Sequence, residues 1–377
     1  MAVVSFKCPN CDGELIFDPE QQNYKCEYCA SKFTQEELDE IQKKQMQASM
    51  EALNEAYTED AESTEAGKLD HAEEDGNQAD DTAEQKEQGA VVYSCPSCGA
   101  EIVTDATTAA TFCYYCHNPV VLSGRLEGKY LPDRVIPFQV SRKEAEKRFL
   151  EYVGKKKFVP RAFFNKKQIE SLSGVYFPYW VYDAKLAGRL SGEGKKIRIW
   201  RTGEEEFTET KLYHIERDGN LEFKNLIQNA LQKANVKLAE GVMPYQFDKM
   251  EPFKMGYLSG FQAERRDIER ESVEQDMQQT MRESAEKMLR ESVNGYNAVT
   301  VNNIGVIPEK ESWYYTLFPV WTVTYRGRDN KVYYYSMNGQ TGKVCGELPV
   351  DKGRLALTST IASVIVLILC LIGGYFI

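Results

Sequence analysis

Histidine is scarce, with three in 377 residues. His71 falls in an acidic stretch, His117 directly follows a cysteine and His214 stands alone in a β-like segment, read as packed or hydrogen-bonded. Imidazole is the commonest general acid–base group near neutral pH, so a catalytic set has little to draw on here. GxSxG, HExxH and the kinase motifs are missing as well. The glycine-rich run Gly188–Lys196 fails the phosphate-loop pattern, because Lys196 stands where Ser or Thr is required; a hairpin turn accounts for its glycines. No residue presents itself as a nucleophile or base, and the chain reads as non-enzymatic, with no small-molecule substrate expected and an uncharacterised enzyme in the β-rich body as a third reading. The first 90 residues contain no arginine, and their 7 lysines face 23 acidic side chains, a net of −16 that leaves +5 on the remainder. Such an N-terminal part is a poor phosphate-backbone reader. The opening MAVVSFKCPN also lacks the basic-then-apolar pattern of a signal peptide.

What is present begins with cysteine. Eight of the ten fall in CxxC pairs: Cys8, Cys11, Cys26 and Cys29, then Cys95, Cys98, Cys113 and Cys116. Each second-set cysteine lies 87 positions after its counterpart, with 14 residues between the two pairs of each set, so the unit is repeated. Two CxxC turns at this spacing place four thiolates around one tetrahedral Zn²⁺. Two structural zinc ions are therefore expected, in zinc ribbons at 1–33 and 91–123. Four thiolates leave no coordination position for a catalytic water. His117 could replace a ligand but reads as a bystander. Residues 91–123 contain no Lys or Arg, so these ribbons suit protein contacts better than nucleic acid. Cysteine in metal-site pairs also points to a reducing compartment.

Between the ribbons, 34–58 reads as a helix capped by Thr34. Residues 59–90 read as a disordered linker, with 12 acidic side chains, 2 lysines and almost nothing apolar in 59–88. The body, 124–350, opens with a short strand at Arg134–Phe138 and a helix from Arg142 to about Val153 capped by Ser141. Arg134 to Lys167 carries 11 basic and 3 acidic residues. That stretch is a solvated face, a patch for anionic lipid, or a receptor for the acidic linker. Phe-Pro-x-Trp occurs twice, at Phe177–Trp180 and Phe318–Trp321, each opening an aromatic β-branched stretch. The prolines suggest an edge or a strand start. Two related β-rich halves are expected, separated from further strands by turns at Gly188–Gly194 and Arg326–Asn330. A long helix over Phe261–Val293, with Ile268, Val273, Met277, Met281, Ala285, Met288 or Leu289, and Val293 in its stripe, should pack on the body's own sheet.

The chain closes on Leu355–Ile377, 23 residues without charge or proline. As a helix these reach about 35 Å, enough for a hydrocarbon core of about 30 Å. Lys352 and Arg354 precede the span and no basic residue follows it, which places the preceding bulk in the cytoplasm. The expectation is a single-pass tail anchor at 355–377 in the cell membrane.

The fold class expected is thus α+β: two zinc ribbons, a duplicated β-rich cytoplasmic body with added helices, and one C-terminal transmembrane helix. CPNC…CEYC, CPSC…CYYC, Val135–Phe138, Val175–Asp183, Tyr257–Phe261 with Ala263-Glu264, and the terminal span together resemble a family of bacterial, mainly Firmicute, double zinc-ribbon membrane proteins. The resemblance covers most of the chain. It implies a membrane-anchored adaptor that recruits proteins at the cytoplasmic face, in some members a phage shock protein A homologue in envelope-stress operons. A membrane-tethered nucleic-acid binder using the ribbons is the alternative.

Overall fold

The computed structural model describes residues 6–41 with a few positions to 47, then 91–95, 101–113, 119–160, 172–232, 241–326 and 331–375. The expected acidic linker and most of the 34–58 helix lie outside these residues. The N-terminal unit is a three-stranded sheet, β1 (Leu15–Asp18), β2 (Asn23–Cys26) and β3 (Lys32–Phe33). Residues 35–41 continue as helix. Thr34 and Glu37 cap its start reciprocally: Glu37 N–H donates to Thr34 Oγ1 at 3.3 Å and Thr34 N–H to Glu37 Oε2 at 2.7 Å. The second cysteine unit contributes β4 (Val91–Ser94) and β5 (Glu101–Thr104), paired with each other, then β6 (Thr108–Phe112) and β7 (Pro119–Val121).

The body adds β8 (Arg134–Val135), helix α1 (Arg142–Gly154), β9 (Ser173–Thr202) and β10 (Glu205–Asn229), then β11 (Glu251–Pro252) and β12 (Gln262–Glu264). Helix α2 (Arg270–Glu291), β13 (Ala298–Arg326), β14 (Val332–Asn338) and β15 (Val344–Gly346) follow, and helix α3 (Lys352–Tyr375) closes the described chain. All strands from β6 onward join one sheet, ordered β11-β8-β13-β9-β12-β6-β7, with β10 on β9 and β14–β15 on β13. It is mainly antiparallel, with parallel pairings of β12 on β9 and β8 on β13. The protein is therefore α+β, with one dominant sheet.

The duplication has a specific form. Each copy runs short strand, helix, long strand, strand: β8-α1-β9-β10, then β12-α2-β13-β14. The copies do not fold side by side as half-domains. Their long strands pair antiparallel with each other, Phe177 directly opposite Phe318, and each short strand pairs with the long strand of the other copy. Trp180 and Trp321 tie this exchange. Trp180 Nε1–H donates to the Ile268 carbonyl and Trp321 Nε1–H to the Val140 carbonyl, both at 3.0 Å, each carbonyl two residues ahead of the other copy's helix. A buried indole requires such an acceptor. The prolines obey the same symmetry, in the sheet interior and not at an edge. Pro178 lies where β9 passes from partner β10 to partner β12, and Pro319 where β13 passes from β8 to β14. A residue without an N–H is tolerated at such a handover because no ladder donor is required of it. Each still accepts through its carbonyl, from Ala230 N–H at 3.1 Å and Gly339 N–H at 2.8 Å.

At 30 residues, β9 extends about 100 Å. Its burial falls into three regimes: enclosed on both faces to Tyr182, alternating to Gly194, and exposed on both faces beyond. The alternating stretch corrects the expected hairpin at Gly188–Gly194, which is continuous strand. Its even positions Ala184, Leu186 and Leu190 meet Met277, Met281, Ala285 and Leu289 of α2. A Cβ on Gly188 would come within 2.9 Å of Leu221 and Leu289 side-chain carbons, so glycine there lets the helix lie close to the sheet and makes no turn. Helix α2 begins at Arg270 rather than Phe261. Gln262–Glu264 are instead drawn between β9 and β6, and paired backbone cannot also be helical. Helix α1 matches expectation, with Ser141 Oγ accepting from Glu144 N–H at 3.4 Å.

At the exchange point the two copies diverge. Phe138 stacks on Phe261 at 4.2 Å and meets Tyr176 and Trp321 edge-on. The matching place in the other copy holds Arg266, only 4% exposed, with its guanidinium 4.9 Å from the Trp180 ring and 5.6 Å from Tyr315. Glu269 and the Lys129 carbonyl accept from it. Partial burial pushes the Glu269 carboxyl up, but Arg266 and then Lys129 outweigh that and hold it below the ordinary range.

Because Phe138 is fully enclosed, Phe138→Ala should lower unfolding free energy by about 3–5 kcal/mol in urea titrations. Leu150→Ala on the exposed side of α1 should change it by no more than about 0.5 kcal/mol.

Candidate metal centre

Two backbone knuckles build the N-terminal site. In the first, Asp12 N–H donates to the Cys8 carbonyl at 2.9 Å and Cys8 N–H to Gly13 O at 2.6 Å. In the second, Ala30 N–H donates to the Cys26 carbonyl at 3.1 Å and Cys26 N–H to Ser31 O at 2.9 Å. The residue after each second cysteine is left-handed, Asp12 at φ 55° and Ala30 at φ 59°. The two CxxC turns are thus copies of one shape, and they face each other because β1 and β2 pair with Leu15 opposite Cys26.

All four Sγ atoms lie within 4.8 Å of one another. Cys8 and Cys29 approach to 3.6 Å and Cys11 and Cys26 to 3.5 Å. A tetrahedral ion with Zn–S bonds of about 2.3 Å requires edges of about 3.8 Å, so Cys8, Cys11, Cys26 and Cys29 can hold a metal ion. Cys8 and Cys26 are buried, Cys11 and Cys29 exposed. Without metal their thiols differ. The Ser31 hydroxyl and backbone N–H, followed by Cys11, pull Cys29 down to about 6. At Cys11 the Gly13 N–H lowers the pKa, but the Cys29 thiol and desolvation outweigh it and push Cys11 up to about 12. Burial raises Cys8.

The second set is described in part. Cys95 and Cys113 are both buried and share a small apolar cluster with Tyr93, Val120 and Leu122. Cys98, Cys116 and His117 lie outside the described residues. This unit is not a free module, because its β4–β5 hairpin stands apart while β6 and β7 are strands of the body sheet. Of the other expected positions, His214 is exposed, its Nε2 3.2 Å from Glu216 Oε1. Cys345 is half-buried, and Cys370 is exposed on α3.

The first unit is fastened to the body as well, which residue spacing does not reveal. Phe17 N–H donates to Ser259 O at 3.2 Å, Ser259 Oγ–H donates to the Leu15 carbonyl, and Gln22 Nε2–H donates to Phe138 O at 2.7 Å. Leu15, Phe17 and Tyr24 belong to the main core, with Phe17 5.2 Å from the Tyr257 ring. The only signal available in the sequence was the apolar character of these three residues, more than an isolated ribbon of this size needs.

At the far end, α3 is long and apolar enough over Lys352–Cys370 to cross a membrane, and none of that stretch is buried in the protein. Such a surface is stable only against lipid or another apolar partner.

Among known proteins the chain is similar to uncharacterized protein YdjG of Bacillus subtilis (strain 168), at 27% identity over 354 residues, 94% of this chain and 92% of that one. No family model matches the sequence. No solved structure matches it.

Two predictions concern the metal. Purified protein should carry two zinc ions, and Cys8→Ser/Cys11→Ser should carry one, read by plasma mass spectrometry; an unchanged content would refute the assignment. Zinc competes with protons for thiols that are mostly protonated at neutral pH at Cys8 and Cys11, so apparent affinity should rise steadily from pH 6 to pH 8 in chelator competition.

Proposed function

We propose that the protein is a membrane-anchored zinc-ribbon adaptor, with α3 as its anchor, that gathers other proteins at the cytoplasmic membrane face. Zinc in this reading is structural, since four thiolates close its coordination shell. The observation that carries the reading is the far end of the β10-β9-β13 ribbon. There Trp200 and Phe207 stack at 5.7 Å on one face, while Ile197, Ile199 and Leu212 occupy the other, Ile199 60% and Leu212 68% exposed. Large apolar side chains grouped beyond the reach of the core mark a surface for a partner. The outer strand β10 is studded with charge along its free edge, from Glu205 to Lys224, which discourages edge-to-edge aggregation and leaves recognition to side chains.

Residues 193–213 carry five basic and five acidic side chains, a balance that suits a protein partner better than a polyphosphate. The class of partner that the family resemblance implies is a peripheral coiled-coil protein of the phage shock protein A kind.

The full chain in lipid nanodiscs should bind such a coiled-coil protein, and Trp200→Ala/Phe207→Ala/Leu212→Ala should weaken binding by about tenfold or more with zinc content unchanged. Absence of wild-type binding removes that partner, and salt-dependent retention of the full chain on DNA would favour a nucleic-acid role. In cells the protein should resist carbonate extraction from membranes, and removal of 355–377 should release it.

A further inference from the structure

The basic stretch that begins at Arg134 contains side chains of two kinds. Arg134 stacks over the Tyr314 ring at 3.8 Å, and Arg142, Lys147 and Arg148 pair with Glu146 or Glu144 along α1. Lys155, Lys156 and Lys157, just past the end of α1, have no carboxylate within ion-pair distance among the described residues. They are exposed, and Lys156 Nζ sits 5.5 Å from the centre of the Tyr152 ring.

These three lysines line an open groove of about 510 Å³ together with the apolar side chains of Phe158, Leu348 and Val350. The groove lies at the foot of α3. Asp351 N–H donates to the Phe158 carbonyl at 2.6 Å, so the lysine loop is tied to the residue directly before the helix. Asp351 itself is engaged by Arg354 at 3.5 Å. From Asp351 to Leu355, where the uncharged run starts, the helix climbs about 6 Å, comparable to the depth of a lipid headgroup layer. Cationic and apolar side chains lining one groove, at that depth, match the chemistry of a phospholipid: phosphate against ammonium groups, first methylenes against Phe158 and Leu348.

We propose that this groove binds the headgroup of an anionic phospholipid, with Lys155, Lys156 and Lys157 on the phosphate. The proposal rests on α3 crossing the membrane. Its consequence is orientation: a helix alone leaves the body free to swing, whereas a headgroup held beside the helix foot fixes the body against the bilayer surface.

The test uses the full chain in phosphatidylcholine nanodiscs with or without phosphatidylglycerol, and reads lysine acylation rates by mass spectrometry. Lys155–Lys157 should react about fivefold or more slowly when phosphatidylglycerol is present, with Lys185 on the ribbon as an unchanged control. Lys155→Gln/Lys156→Gln/Lys157→Gln should retain less spin-labelled phosphatidylglycerol by a similar factor. Equal rates in both nanodiscs overturn the proposal while leaving the anchor intact. Inorganic phosphate giving the same protection in phosphatidylcholine alone overturns it in favour of a free-anion pocket. Protection already complete without anionic lipid, and lost when 59–88 is deleted, overturns it in favour of the chain's own acidic segment. A chain that never enters nanodiscs loses the anchor, and the proposal with it.

Discussion

The antiparallel contact of β9 with β13 at Phe177–Phe318 is the constraint from which the rest of the body follows. Once two long strands are registered there, the symmetry of the duplication leaves each short strand beside the other copy's long strand, and each tryptophan beneath the other copy's helix start. Neither copy can close its core alone, because the acceptor for its buried indole N–H belongs to the other. The prolines then fall where each strand changes partner, the places in an interior strand that best tolerate a missing donor.

This exchange also explains the shape. A sheet in which β9, β10 and β13 run 25 to 30 residues while its other strands are far shorter must extend past its own core. Along β9 the protein covers both faces, then one face with α2, then neither. At the uncovered end Trp200, Phe207 and Leu212 have no remaining element of the chain to bury them among the described residues. At the opposite end the loop that follows α1 is tied to the base of α3 through the Phe158–Asp351 contact. The cysteine unit, the ribbon end and the helix foot are thus all fastened to one body.

The metal centre follows a different logic. Its four sulfurs come from two local turns, and each turn is shaped by its own backbone hydrogen bonds and one left-handed residue. Local chemistry of this kind depends on neighbours only a few positions away. Beyond these turns, Leu15, Phe17 and Tyr24 seat the unit in the body core, so an ion held there would be coupled to the fold of the whole.

The cysteine spacing, the Ser141 and Thr34 caps, the α2 stripe and the apolar terminal run were legible in the residues themselves, because each is governed by contacts within one turn, one helix face or one strand. The glycines of 188–194 misled for the same reason. Read locally, glycine signals a turn; only the tertiary neighbours reveal that Gly188 makes room for α2 and Gly192 for the backbone of β13. The start of α2, the exchange of short strands, the seating of the first ribbon and the splitting of the second all depend on partners more than eighty residues distant. Sequence alone therefore determined which chemistry the chain carries. Tertiary structure decided where that chemistry stands, because pairing between distant strands is chosen by the packing of the complete sheet and by no segment of it.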